Sequence, residues 1–333
     1  MKENIFTKKV ERLVNPIDVG TLHFIENFTG ALPLKVQKKM VDSSAKKTPY
    51  MGFVVEPYSY FLAYKLKDLE WAERILPDGF SLIKTRVFED DEPNYYAIFG
   101  VFNAHTSGFW GLRVEFYIIA KNNLTGMLSW IIVDYDTNTI SYDQKSGFSQ
   151  PNSEGSLFTV DYDGIAHVDV KQTDSDRSLE FISDIKNGVM TPLDKRLWIE
   201  GNLSIGYGKV KLDCNPGICT SGIFSLIFDP KEFEKALRIP KEKLQIKINN
   251  WYPGLFEDEP SEAVCFPYAQ HFLSESPGNY SSIKDEDELV DKVKNIDFSK
   301  IEIFSTKSIK KLLFLMVGIS FLVNVLLLVL LLT

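Results

Sequence analysis

The chain has 333 residues, 44% hydrophobic and 13% aromatic, enough apolar material for a large core in one domain or two closely packed halves. A formal net charge of −8 without a basic stripe excludes a nucleic-acid binder, because affinity for phosphate backbones rests on clustered Lys and Arg. The three cysteines, Cys214, Cys219 and Cys265, are odd in number and sparse, which excludes a disulfide framework and points to a reducing compartment.

Residues 1–50 read as an N-terminal extension packing on a main domain over 51–274. That domain reads mostly as strands. Segments 58–66, 81–88, 95–103, 111–121 and 128–134 are rich in β-branched and aromatic residues, with turn signals between them at nearly even spacing. Asn122 to Gly126 reads as a hairpin loop. Helices are few: Asp68 caps LEWAERIL, closed by Pro77, and Asp229-Pro230 opens KEFEKAL, closed by Pro240. The fold class expected is mainly β (α+β): a large antiparallel β-barrel or cone with peripheral helices.

In GLRVEFYIIAK, the two-residue period of a strand puts Leu112, Val114, Phe116 and Ile118 on one face and Arg113, Glu115 and Tyr117 on the other. If the charged face looks into a closed cavity, Arg113 and Glu115 mark a polar site in apolar surroundings. If it looks outward, they form an ordinary solvated pair worth under about 1 kcal/mol. Spacing alone gives more weight to the solvated pair.

Other constellations are weaker. Cys214 and Cys219 enclose a short loop, and His23, His105, His167 and His271 are scattered, so no metal site is expected. GNLSIGYGK has Tyr207 where a phosphate loop needs lysine, and reads as a glycine-bearing turn. His105 beside Trp110 reads as a surface-loop histidine, with a pocket acid or base as the alternative.

Beyond the main domain, 275–311 reads as a charged tether with a short helical pattern at Leu289, Val293 and Ile296. Residues 312–332, from Leu312 through Gly318 and Asn324 to Leu332, contain no charge and are expected to form a transmembrane helix in a lipid bilayer. Lys307, Lys310 and Lys311 place its leading end on the cytoplasmic side, giving a single-pass, tail-anchored protein with the main domain in the cytosol. Asn324 raises the further expectation of a helix-mediated homo-oligomer.

The order YSYFLAYKL, a short helix ending in LPDGF, FWGLRVEFYIIAK, and the segment SYDQKSGFSQPN resembles the acetoacetate decarboxylase-like superfamily. The resemblance covers under a third of the chain well. It implies an antiparallel β-barrel or cone around an apolar cavity. It also implies, in the enzymes, a buried lysine that forms a Schiff base with a β-keto acid, in a pocket lined by glutamate and arginine. Gly147-Phe148 matches the family's Gly-Phe step and Glu115 the pocket glutamate, with Arg113 beside it. Where the paired lysines should follow, this chain has Ser149, Gln150, Pro151 and Asn152. Gln150 cannot form a Schiff base, and Lys145 reads as a surface turn lysine. A replacement from Lys171, Lys209 or Lys211 stays open.

The expected pocket is therefore Arg113 and Glu115 with Tyr117, Phe148, Gln150, His105 and Trp110, without a cofactor. Its expected ligand is a small apolar or carboxylate molecule, such as an organic acid or a lipid-derived compound. The alternatives are an enzyme on the same fold, with Glu115 as general base or a relocated lysine, and a membrane-located scaffold.

Overall fold

The structure, a computed structural model, describes residues 5–14, 32–39, 50–106, 110–139, 141–143, 147–149, 151–153, 155–209, 223–275, 283–298 and 307–332. The strands in chain order begin with β1 (Tyr50–Val55), β2 (Ser59–Lys65), β3 (Phe80–Leu82), β4 (Tyr96–Thr106), β5 (Trp110–Asn122) and β6 (Leu128–Thr137). A small hairpin, β7 (Ser141–Asp143) and β8 (Gly147–Ser149), precedes β9 (Leu157–Val160), β10 (Ile165–Lys171) and β11 (Ser178–Asp184). The later strands are β12 (Val189–Pro192), β13 (Ile205–Tyr207), β14 (Ile223–Phe224), β15 (Leu226–Ile227) and β16 (Lys235–Arg238). The last three are β17 (Leu244–Asn249), β18 (Glu262–Phe266) and β19 (Gln270–Glu275).

The main sheet runs β12-β16-β18-β2-β4-β5-β6-β13-β14, with β1 branching from β4 and leading through β19 to β15. Among the described residues this order has free ends at β12 and β14, so the sheet stays open. The closed barrel or cone expected from the sequence is thus corrected to a mixed α+β architecture of an open, branched sheet. The physical reason lies in β4, which is long enough to pair β2 along one half and β1 along the other. The sheet forks there instead of rolling up. A second sheet, β17-β11-β10-β9, packs against one face of the first.

The central strands are consequently buried on both faces. One face carries Ile98, Tyr117, Ile119, Trp130 and Phe266 into a first core, where Trp198 packs against them. The other carries Phe99, Phe116 and Ile118 into a second core shared with Val168, Phe181 and Trp251. Each such large side chain contributes roughly 1.5–3 kcal/mol on burial.

Helix α1 (Ile5–Leu13) buries Phe6, Val10 and Leu13 on β1 and β19. Gly52 allows this approach, since a Cβ there would lie 3.0 Å from Leu13 Cβ. Helix α2 (Leu69–Ile75) starts where Trp71 N donates to the Asp68 carboxylate at 2.8 Å and stops before Pro77. Helix α3 (Glu286–Asn295) is capped by Asp285 and buries Leu289 in the first core.

Two local expectations are also corrected. KEFEKAL forms only a single helical turn, Pro230–Phe233, before turning into β16 between β12 and β18. The segment 81–88 is strand only through Leu82, because its later residues make an isolated bridge from Thr85 to Asn94 instead of a ladder.

Helix α4 (Lys307–Leu332) exposes its described apolar side chains, Phe314 and Phe321 among them. The transmembrane span expected over 312–332 is overturned, and with it the single-pass membrane location: among the described residues, no helix is long and apolar enough to cross a membrane. The side chains of Leu312 and Leu332 lie outside the described residues. Among the described residues no atom would lie within 4 Å of a Cβ at Gly318, and Asn324 Nδ2 donates to Ser320 O at 2.8 Å within the helix itself.

Candidate functional site

The site begins with the alternation of β5. Arg113, Glu115 and Tyr117 share one face, and the structure turns that face inward, toward the first core. Glu115 and Tyr117 are each only 7% exposed. Arg113 Nε donates to Glu115 Oε1, and Tyr117 Oη donates to Glu115 Oε2, so both carboxylate oxygens are engaged. The solvated surface pair that spacing favoured is not what forms, because β5 is the middle of a sheet covered on both sides.

The neighbours follow from strand register. Across β4, Phe102 pairs with Arg113, Gly100 with Glu115 and Ile98 with Tyr117. Across β6, Tyr135 pairs with Glu115 and Thr137 with Arg113. A bulge at Val133 makes this possible: Phe116 pairs with Asp134 but Tyr117 with Ile132, so the extra residue shifts which side chains point inward. Before the bulge Trp130 and Ile132 face the first core; after it Tyr135 does. The Arg113 guanidinium lies over the Tyr135 ring at 4.2 Å. Tyr117 meets Trp130 edge-on at 4.9 Å.

Electrostatics fix the charge states. Burial works against the charge of Arg113, but Glu115, with Tyr135 and Tyr207, outweighs it and holds the guanidinium firmly protonated. Burial, then the adjacent Glu115 carboxylate, pushes Tyr117 well above the usual phenol range, so it stays a donor. Among the described residues Nε is the only guanidinium nitrogen of Arg113 with a hydrogen-bond partner. Among the described residues Nη1 and Nη2 have no hydrogen-bond partner, while 20% of the side chain remains accessible.

Beside this trio is an apolar cavity of about 70 Å³, walled by Phe53, Phe61, Phe102, Trp130 and Phe272, with Gln270 in its lining. Phe102 is shared: it stands across from Arg113 and also forms cavity wall. The rings are fixed by one another. Phe61 meets Trp198 edge-on at 5.1 Å and Phe266 at 5.7 Å, and Trp130 Nε1 donates to Leu197 O at 2.8 Å.

The remaining expected residues fall elsewhere. His105 and Trp110 pair across the strands and stack at 4.2 Å, but the alternation of β4 and β5 turns them to the face opposite Arg113. His105 Nε2 bonds Glu56, and that hydrogen bond, against burial, holds the Glu56 carboxyl below its ordinary range. Within SYDQKSGFSQPN, the described residues 141–143 and 147–149 pair as β7 and β8. Phe148 is in β8, but its side chain lies outside the described residues, as do Gln150 and Lys145. The segment then returns to the site: Asn152 Oδ1 accepts from Thr137 N at 2.8 Å, and its Nδ2 donates to Tyr135 O at 3.1 Å. Asn152, at the end of the stretch expected to carry lysines, is thereby held to the end of β6 beside Arg113.

Of the other lysines, Lys171 is exposed and Lys209 pairs with Asp78 at 3.2 Å, while Lys211 is outside the described residues. Among the described residues no lysine contacts the trio through a hydrogen bond or ion pair. Sequence reasoning missed Tyr135, Phe102, Gly100 and Gln270. The first was hidden by the bulge, and the others needed the pairing partners of β4 and β1.

Comparison with known proteins returns solved structures. No protein-family model matches the chain, and no curated protein does. One similar structure is the acetoacetate decarboxylase of Legionella pneumophila subsp. pneumophila str. Philadelphia 1, at 12% identity and a TM-score of 0.40, covering 68% of this chain and 86% of that one. A second acetoacetate decarboxylase is 13% identical with a TM-score of 0.34, covering 70% and 89%. The enduracididine biosynthesis enzyme MppR is 9% identical with a TM-score of 0.34, covering 68% and 86%. The likeness shows an acetoacetate decarboxylase-like fold, the family that the sequence resembles, and the fold alone.

Proposed function

We propose that this chain binds a small organic acid, whose carboxylate is held by the Nη1 and Nη2 edge of Arg113 and whose apolar part lies against Phe102. The observation that carries this reading is the Nη edge, without a hydrogen-bond partner among the described residues, of a largely buried, firmly charged guanidinium at the margin of an aromatic cavity. A guanidinium presents two parallel N–H donors that match a carboxylate. Glu115 takes Nε and so sets the orientation of the group. Tyr117 donates to Glu115 and spreads its charge, which lowers the repulsion an incoming anion meets.

The same geometry argues against two catalytic readings. Glu115 has both oxygens engaged, leaving it poorly placed as a general base. Amine catalysis needs a desolvated lysine at the site, and no described lysine is there.

Thermal unfolding with hexanoate and with hexanamide, at fixed pH and ionic strength, tests the proposal. A ligand that binds only the folded state raises the unfolding temperature with concentration. Hexanoate is expected to do so saturably, hexanamide not, and the Arg113→Gln variant is expected to lose the response. Equal responses to the two compounds, or none, would overturn the proposal.

A further inference from the structure

Gln270 is 2% exposed, yet it lines the aromatic cavity. Its Oε1 accepts from Ser59 Oγ at 2.9 Å, and among the described residues its Nε2 has no hydrogen-bond partner. A second amide reaches the same space. Asn202 donates through Nδ2 to Trp198 O at 2.6 Å, leaving Oδ1 without a partner among the described residues. A buried amide group without a partner carries a desolvation cost, so the buried Gln270, with the partly buried Asn202 beside it, marks a place for a polar group in a cavity otherwise walled by apolar side chains.

Register relates this place to Arg113. Tyr60 pairs with Val101, so the preceding Ser59 lies level with Phe102, which pairs with Arg113. Arg113, Phe102 and Ser59 therefore stand on three successive strands. Ser59, with the amide it holds, is two strand spacings from Arg113, about 9.6 Å at ~4.8 Å per strand.

We infer that the ligand is an organic acid whose far end carries an uncharged hydrogen-bonding group such as a hydroxyl, received by Gln270 and Asn202 after the chain passes Phe102. This rests on the reading of Arg113 as the carboxylate site. The class follows from three features. The cavity, of about 70 Å³, has room for a narrow chain end. The charge is taken up at Arg113, and among the described residues no charged side chain lines the cavity. A hydroxyl both donates and accepts, so it satisfies a free amide N–H and a free amide oxygen alike. Gln270 is thus a specificity-determining residue, separate from the group that confers affinity for acids.

The experiment is equilibrium binding of two matched pairs, hexanoate with 6-hydroxyhexanoate and octanoate with 8-hydroxyoctanoate, to the full chain and to Gln270→Met. In at least one pair the hydroxy acid is expected to bind about five- to tenfold tighter, as one buried hydrogen bond provides. Gln270→Met is expected to erase that preference while still binding the plain acid. Should Gln270→Met not fold, Gln270→Asn, which withdraws the amide by one methylene, serves instead. If both acids of each pair bind the wild-type chain equally, the amide holds only water or Ser59 and the inference fails, while the Arg113 reading stands. If no acid binds at all, both fail.

Discussion

Gly100 on β4 lies directly across from Glu115 on β5, and the space left by its missing side chain is taken by the Phe61 ring. A Cβ at position 100 would lie 2.9 Å from Phe61 Cε1 and 3.3 Å from Tyr117 Cε2. Phe61 cannot yield easily, since Trp130, Trp198 and Phe266 meet it edge-on from three sides. In an open strand, Gly→Ala is often neutral or stabilising. Here Gly100→Ala is expected to destabilise by about 1–3 kcal/mol through overpacking. Urea denaturation of the variant checks this, and an unchanged midpoint would show that Phe61 has room to move.

Arg177 ties the two sheets together. Its guanidinium bonds both Asp134 and Asp136, the latter with a fully buried side chain, and lies 4.1 Å from the Trp251 ring. Removing one partner of such a group leaves a buried charge uncompensated. Arg177→Met is therefore expected to lose about 3–5 kcal/mol of stability. Adding Asp134→Asn and Asp136→Asn to that variant is expected to restore part of it. Chemical denaturation of the single and triple variants measures both, and no recovery in the triple variant would mean that Arg177 acts through packing alone.

His271 supplies a pH dependence. It points away from the cavity, toward α1, with Nδ1 2.8 Å from Glu232 and Nε2 3.4 Å from Glu11 of that helix. Burial disfavours its charge, but Glu232 and Glu11 outweigh this and raise its pKa above the ordinary 6.5. A raised folded-state pKa means that its stabilisation is fully present below the unfolded value and is lost as pH rises through the folded value. The wild-type chain is thus expected to lose stability as pH climbs from about 6.5 through that raised value, and His271→Gln to lack this component. Unfolding free energies of both across pH 5 to 9 check it; parallel curves would contradict it.

Much of this site could be read in the sequence, and what could not has particular causes. The alternation of GLRVEFYIIAK grouped Arg113, Glu115 and Tyr117 correctly, because strand periodicity depends on nothing outside the strand. Which way the group pointed depends on β9–β11 and β17, which build the second sheet and cover the other face. The Val133 bulge reversed the alternation of β6, so Tyr135 faces inward where a regular strand would have turned it away. KEFEKAL has good helix formers, but pairing with β12 and β18 on both sides overrides propensity. By contrast, α2 was legible in full because Asp68 and Pro77 fix its two ends locally.

The central claim is that the Nη edge of Arg113 holds a carboxylate. Isothermal titration of hexanoate into the wild-type chain, Arg113→Lys and Arg113→Gln tests it most directly. A charged but unforked lysine is expected to weaken binding, and the neutral glutamine to abolish it, with all three chains equally folded by circular dichroism. Hexanoate binding to Arg113→Gln with wild-type affinity would contradict the claim and place any acid site elsewhere on the molecule.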